Sequence, residues 1–264
     1  MSKKCTAIKA LLWATLLCLG HARAGEVAGT VTQLSGPMMA KKADGKVKIL
    51  ALKSEVESGD TLVTEKNTYA LVKFIDNSEI TLKPGTTFVV EQFAYHADQP
   101  DGDRASFSLL KGGLRSLSGL LGKRNKEKFA LKTPVATIGI RGTYFIVQYV
   151  PPFAPAPPSA PALAAPPAAT TSAPLPAAKP PGAPAPGLYV QVTDGLIVLT
   201  NPTGQQPVPA GQFGYVPSLV APPVIVPPNP ATQFAPPPVF NSSTGPAVGV
   251  SVNEKANEVN CIVR

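Results

Sequence analysis

Phe129-Ala-Leu-Lys-Thr-Pro-Val-Ala-Thr-Ile-Gly-Ile-Arg-Gly-Thr-Tyr-Phe-Ile-Val-Gln-Tyr-Val150 is the stretch whose reading decides the fold. Two β-rich segments flank a Thr133-Pro134 break, and an Arg141-Gly142-Thr143 step leads into the second. Val135, Ile138, Ile140, Phe145 and Val147 carry the bulky or β-branched side chains that suit a pleated, half-buried surface. Pro134 has no N–H to give a ladder and belongs at a strand start or edge. Gly139 and Gly142 mark bulges or places where another backbone comes close. Arg141 stands between apolar residues, which points to partial burial and a structural role with hydrogen-bond partners.

Strand signals continue upstream of this stretch. Glu26 to Gln33, Lys46 to Ala51, Gly59 to Thr64, Tyr69 to Ile75, Glu79 to Leu82 and Thr87 to Phe93 read as short strands punctuated by Asp44-Gly45, Asp76-Asn77-Ser78 and Pro84-Gly85. Ser106 to Leu110 and Leu114 to Leu117 read as a hairpin turning at Gly112-Gly113. Downstream, residues 151–187 are almost all Pro, Ala, Ser and Thr, a composition that cannot bury enough apolar surface to offset its ordering entropy. Leu188 to Val192 and Leu196 to Leu199, joined at Asp194-Gly195, then form a hairpin, and Gln212 to Val216 a last strand. One hairpin is not stable alone in water, so these strands must dock on the earlier ones. Residues 151–187 are therefore expected to be a disordered insertion within one domain. Lengthening a flexible loop from about five to about forty residues costs only roughly 2 kcal/mol of closure entropy. The expected layout is a leader at 1–24, the first part of a β domain at 25–150, the insertion at 151–187, closing strands at 188–217 and a disordered Pro-rich tail at 218–264. The fold class is all-β, either a rolled β-sandwich or a short β-solenoid-like stack.

Thr133, Pro134, Ala136, Arg141, Gly142, Thr143 and Phe145 fill a pattern that closely resembles the signature of the FecR domain, Thr-Pro-x-Ala-x-x-x-x-Arg-Gly-Thr-x-Phe. Gly59-Asp60-x-Leu62-x-Thr64, the run of Phe74, Asp76, Ser78, Ile80 and Leu82, and Ala210-Gly211-Gln212 resemble it too. Asn77 stands where that family usually has glycine, a mild departure because Asn also tolerates left-handed φ. The resemblance implies a FecR-like β domain and an envelope location. The best-known FecR proteins join a cytoplasmic anti-sigma segment and one membrane span to a periplasmic region that receives a signal from an outer-membrane receptor. This sequence instead opens on a leader and shows no later span, which implies a stand-alone, exported member.

The leader reads from Lys3, Lys4 and Lys9 through an apolar run at Ala10 to Gly20 to Ala22-Arg23-Ala24. The run falls short of the roughly 20 residues of a membrane span, so cleavage is expected rather than retention as an anchor. Of the net charge of +8, Lys3, Lys4, Lys9 and Arg23 carry four and the leader holds no acid, leaving +4 on the mature chain. An exported, mildly basic protein does not meet nucleic acid; anionic envelope polymers remain as partners. Cys261 is the only thiol past the leader, so neither an internal disulfide nor a cysteine metal site can form.

Catalysis finds little material. His96 is the only histidine beyond the leader, in a polar loop with Asp98, Asp101 and Asp103 whose spacing misses the helix-loop-helix calcium pattern. These acids are expected to be solvated, with no metal and no cofactor. Ser118-Gly119-Leu120-Leu121-Gly122-Lys123 lacks the spacing of a phosphate-cradling loop. Lys123, Arg124, Lys126 and Lys128 form a candidate patch for anionic polymer, with a solvated hairpin loop as the plainer reading. The chain is expected to be a non-enzymatic binding module of the Gram-negative envelope, periplasmic or secreted, engaging an envelope protein or cell-wall polymer. The alternative is a soluble sensory component of iron or envelope-stress signalling that works through a membrane partner.

Overall fold

The computed structural model describes residues 25–152 and 184–228. The expected leader, most of the expected insertion, and residues 229–264 with Cys261 lie outside the described residues. Strands β1 (Val27–Leu34), β2 (Met38–Lys41), β3 (Val47–Leu50), β4 (Glu55–Glu57), β5 (Thr61–Thr64), β6 (Ala70–Phe74), β7 (Glu79–Leu82) and β8 (Thr87–Ala94) precede the long β9 (Arg104–Leu117). Helix α1 (Leu120–Arg124) and a 3-10 turn (Lys126–Lys128) lead into β10 (Phe129–Lys132), β11 (Thr137–Ile140) and β12 (Tyr144–Val150). Then come β13 (Gly187–Asp194), β14 (Leu196–Asn201), β15 (Gly204–Pro209), β16 (Phe213–Val216) and β17 (Val224–Val226). No helix among the described residues is long and apolar enough to cross a membrane.

Hydrogen bonding joins all these strands into one sheet that rolls over on itself, the rolled sandwich of the two expected forms. One layer runs β4-β1-β6-β7-β9-β12-β13-β16-β17, antiparallel throughout. The other runs β3-β2-β5-β8-β9-β10-β11-β14-β15, antiparallel except for β9 with β10. Period-two patterning sends alternate side chains inward: Ala70, Val72 and Phe74 on β6, Phe145, Val147 and Tyr149 on β12, Leu188, Val190 and Val192 on β13. The layers meet through a ring cluster in which Phe107 of β9 lies 5.3 Å from Phe74, 5.3 Å from Phe88 and 5.7 Å from Phe129. Removing a ring so placed costs about 3–5 kcal/mol.

β9 belongs to both layers, and it corrects the sequence reading of a hairpin at Gly112-Gly113. The strand does not turn back; it bends there and crosses from one layer to the other, pairing with β8 and β10 before the bend and with β7 and β12 after it. Gly112 has φ +85°, and a Cβ there would lie 2.7 Å from the Thr86 Cα. Thr86 Oγ1 donates to the Gly113 carbonyl at 2.9 Å and accepts from its N–H at 3.1 Å. The Thr86 N–H donates to Thr64 Oγ1 at 2.9 Å, which itself donates to the Lys83 carbonyl at 2.6 Å. Three corners, β5 to β6, β7 to β8 and the bend of β9, are thus stacked and stitched by buried hydroxyls.

The late strands complete the same ladders. β13 pairs along the whole of β12, with Val150 opposite Gly187, and β14 pairs with β11. The chain on either side of residues 153–183 therefore sits on adjacent rungs. The expectation of a disordered tail from residue 218 is corrected over 224–226, where β17 pairs with β16. β2 and β15 were also missed as strands: β2 hides behind a Gly36-Pro37 signal, and β15 carries Pro207 and Pro209, tolerated because it is an edge.

Two outcomes test this architecture. Gly112→Ala is expected to lower the unfolding free energy by at least about 2 kcal/mol, from the left-handed backbone and the collision with Thr86, read from urea denaturation. Replacing residues 153–183 with a short Gly-Ser connection is expected to preserve the cooperative thermal transition, whereas deleting residues 188–216 is expected to abolish it.

Candidate binding site beside the Arg-Gly-Thr corner

The signature residues build a turn and a corner. Thr133 Oγ1 accepts from the Ala136 N–H at 3.1 Å and donates to the Ala136 carbonyl at 2.7 Å, closing the turn that holds Pro134 between β10 and β11. At Arg141 the chain leaves one layer for the other. The Arg141 N–H donates to the Leu196 carbonyl at 2.9 Å, and Thr143 Oγ1 donates to that same carbonyl at 3.0 Å. The Thr143 N–H reaches Ser118 Oγ at 3.0 Å, and Ser118 Oγ returns a bond to the Thr143 carbonyl at 2.8 Å. Gly142 takes φ +63°, and Gly195 of the next corner packs so closely that a Cβ on it would lie 2.6 Å from the Gly142 carbonyl oxygen. Ala136, Thr143 and Phe145 are buried. These residues position backbone.

Arg141 departs from its expected partial burial. Its side chain is exposed and makes no hydrogen bond or ion pair among the described residues. It sits at the end of β11 where the corner turns outward, and with Lys126 it flanks an open hollow of about 300 Å³ over Gly139. Gly139 has nothing within 4 Å of a Cβ position, so no neighbouring backbone requires a glycine there, contrary to the sequence reading.

The basic stretch is a crossover rather than a hairpin loop, because β10 runs parallel to the first half of β9 and the chain must return between layers. Asp76 anchors its start: its carbonyl accepts from the Leu120 N–H at 2.9 Å, and its Oδ2 from the Leu121 N–H at 3.2 Å. A Cβ at Gly119 would strike the Asp76 carbonyl oxygen at 2.5 Å. Arg124 is removed from the candidate polymer patch. Its Nε and Nη2 bind Asp103 at 2.7 and 2.9 Å, Nη1 donates to the Ala97 carbonyl at 2.9 Å, Nη2 also to His96, and the guanidinium lies 4.5 Å from the Tyr95 ring centre. Lys123, Lys126 and Lys128 remain exposed, without ion-pair partners among the described residues. Lys132, further along, pairs with Glu91 at 2.6 Å.

Asp103 also departs from expectation, since it is buried rather than solvated. Burial alone would raise its pKa, but the Arg124 guanidinium, the His96 N–H and the Asn125 amide outweigh that and hold it below the ordinary carboxylate range. Asp98 and Asp101 stay exposed, and no group of three metal-ligating side chains occurs among the described residues.

Beside the Arg-Gly-Thr corner two hollows of about 300 and 350 Å³ adjoin, sharing Leu117, Tyr144 and Asp194 as lining. Glu79 and Arg115 extend the trough to one side and Lys123 to the other. Arg115 lies 5.8 Å from the centre of the Tyr144 ring. Leu117 of β9 and Leu120 of α1 expose 47 % and 46 % of their surface on its rim. Glu79 and Asp194, and Arg115 and Lys123, thus bring both charge signs to the apolar surface of the trough. Sequence reading missed it, because its residues come from β7, β9, α1, β12 and β13. The one local hint was Leu117 and Leu120, apolar residues placed where the alternation turns outward.

The family model described as FecR protein matches residues 60–152 of this chain. The match runs from the Asp60 turn through the whole of β12. Two structures of a candidate anti-sigma factor from Parabacteroides distasonis ATCC 8503 are similar at 12 % and 13 % identity, with TM-scores of 0.39 and 0.40. Each similarity covers 63 % of this chain and 58 % of the other, so the likeness spans somewhat over half of those proteins. A cell surface anchoring domain is similar at 21 % identity over 24 % of this chain and 83 % of its own, with a TM-score of 0.23. No curated protein matches the sequence.

The Asp103 pair carries a pH signature. A carboxylate whose folded pKa lies below its unfolded value stabilises fully above the unfolded value, about 4. That stabilisation is lost as pH falls through the folded value. Asp103→Asn is expected to cost about 2 kcal/mol at neutral pH and to flatten the loss of stability below about pH 4. Urea midpoints measured from pH 7 down to pH 3 check both.

Proposed function

We propose that this protein is an exported, non-enzymatic FecR-domain module of the cell envelope that holds an envelope protein or cell-wall polymer against the trough beside its Arg-Gly-Thr corner. The observation that carries the reading is the meeting of Glu79, Arg115, Tyr144, Asp194 and Lys123 with exposed leucine surface on strands and a short helix whose positions are fixed by hydrogen-bonded corners and by Asp76. Sites built on strands present their groups with little freedom to lose on binding. A role in binding rather than catalysis is supported by the fate of the buried carboxylates. Asp60 accepts from Lys42 and the Glu57 N–H, Asp76 from Ser78 and Leu121, and Asp103 from Arg124, so each is already engaged in holding the fold. The leader-like opening of the sequence supports export.

A second reading, a soluble sensory component of iron or envelope-stress signalling that acts through a membrane partner, is favoured by the FecR domain itself. The two readings differ in what the trough touches. A photoreactive residue at Asn77 or Leu117 is expected to crosslink in intact cells to wall polymer or a surface protein under the first reading. Under the second it should capture a membrane transducer or receptor. Thr203, in the exposed turn between β14 and β15, serves as control. Equal labelling from the trough and from Thr203 would remove the trough from the mechanism.

A further inference from the structure

At the rim of the roll, far in sequence from the trough, β3 leaves its apolar side chains uncovered. Ile49 is 77 % exposed and Val47 62 % exposed, the largest such values within any strand apart from the polar positions. Register places Ile49 beside Met39 and Met39 beside Val63, so an apolar row runs inward across β3, β2 and β5 on the outer face. Val47 lies beside Lys41 on that face. Lys46, Lys48 and Lys53 complete a basic border, against the acids Asp44, paired to Lys46 at 2.8 Å, and Glu55. Lys42 is turned away, held by Glu57 at 2.8 Å and Asp60 at 3.0 Å.

An open strand edge with apolar neighbours would ordinarily accept another strand. This one is guarded against that. Leu50 and Met38 are opposite each other and both buried, so Lys48, two residues before Leu50, shares the inward face at the rim. A further strand would have to cover that ammonium. Lys53, at φ +67°, then turns the chain out of the edge after only four paired residues. What remains is a small aliphatic summit ringed by lysines, chemistry that matches a surface needing no backbone pairing: apolar tails beneath anionic headgroups.

We infer that the β2–β3 edge is a peripheral docking surface for an anionic lipid bilayer, with Val47 and Ile49 entering the headgroup layer and Lys41, Lys46 and Lys53 beside it. The inference stands apart from the trough and its partner. Purified protein is to be co-sedimented with vesicles of phosphatidylglycerol and phosphatidylethanolamine and, separately, of phosphatidylcholine, at low and high salt. Every variant keeps the rest of the chain unchanged, so differences report the edge alone. Binding is expected to the anionic vesicles, weakening at high salt. It should fall at least tenfold in the V47E/I49E double variant and severalfold in K41E/K53E, and tighten in I49W, whose ring suits the interface. Because Ile49 is so exposed, an unchanged thermal transition in I49E and I49W will show that folding is intact. Equal vesicle binding by wild type and V47E/I49E, or none by wild type, overturns the proposal. A concentration-dependent dimer lost in I49E, without vesicle binding, overturns it in favour of self-association.

Discussion

Hydroxyl groups inside the sheet corners set the terms for everything else in this molecule. Thr64 and Thr86 place their side-chain oxygens where a strand leaves one layer for the other, and they bond the backbone of the neighbouring corner. A backbone amide or carbonyl left unpaired at such a turn costs about 1–3 kcal/mol, and a rolled sheet has many such turns. Because those groups are paired, β9 can bend at Gly112 without losing its ladders and can serve as the shared middle strand of both layers. Phe107 before the bend and Leu114 after it then face one core.

The Arg-Gly-Thr corner repeats the same device with different residues. Ser118 and Thr143 exchange hydrogen bonds, Thr143 reaches on to Leu196, and Gly195 nests against Gly142. This stack fixes the start of β12 against the end of β9 and the turn after β13. The trough lies over that junction, so its walls inherit their geometry from hydroxyls beneath it. Buried acids play the parallel part in the connections: Asp60 in a turn, Asp76 under the crossover, Asp103 under Arg124.

Much of the architecture was legible because period-two alternation is strong on β6, β8, β12 and β13, and because Asp-Gly and Pro-Gly steps mark their turns. The failures have definite physical sources. Gly112-Gly113 carries the same local signal for a hairpin and for a bend, and only the partners on either side distinguish the two. The basic stretch contains its own pairing logic, since Arg124 finds Asp103 across the intervening strand, a match with no trace in local spacing. Arg141 was placed by its apolar neighbours, whereas the corner at Gly142 turns its side chain outward. The trough draws on four strands and helix α1, spread far apart in sequence, so no window of the chain displays it. The signature residues Thr133, Gly142 and Thr143 hold backbone at the turn and corner beside the trough.

The adjacency of β12 and β13 has a consequence for how this protein comes into being. When synthesis has delivered the chain only as far as Val150, β12 already carries Phe145, Val147 and Tyr149 but has one flank without a partner. That flank stays open while a long Pro- and Ala-rich run passes by, and it closes only when β13 arrives. Ladders between strands so distant along the chain form slowly, and an unpaired flank is where a half-made sheet recruits the wrong neighbour. The period of greatest hazard for this molecule therefore falls during its birth, and holdase-type protection would matter most in the interval between those two strands.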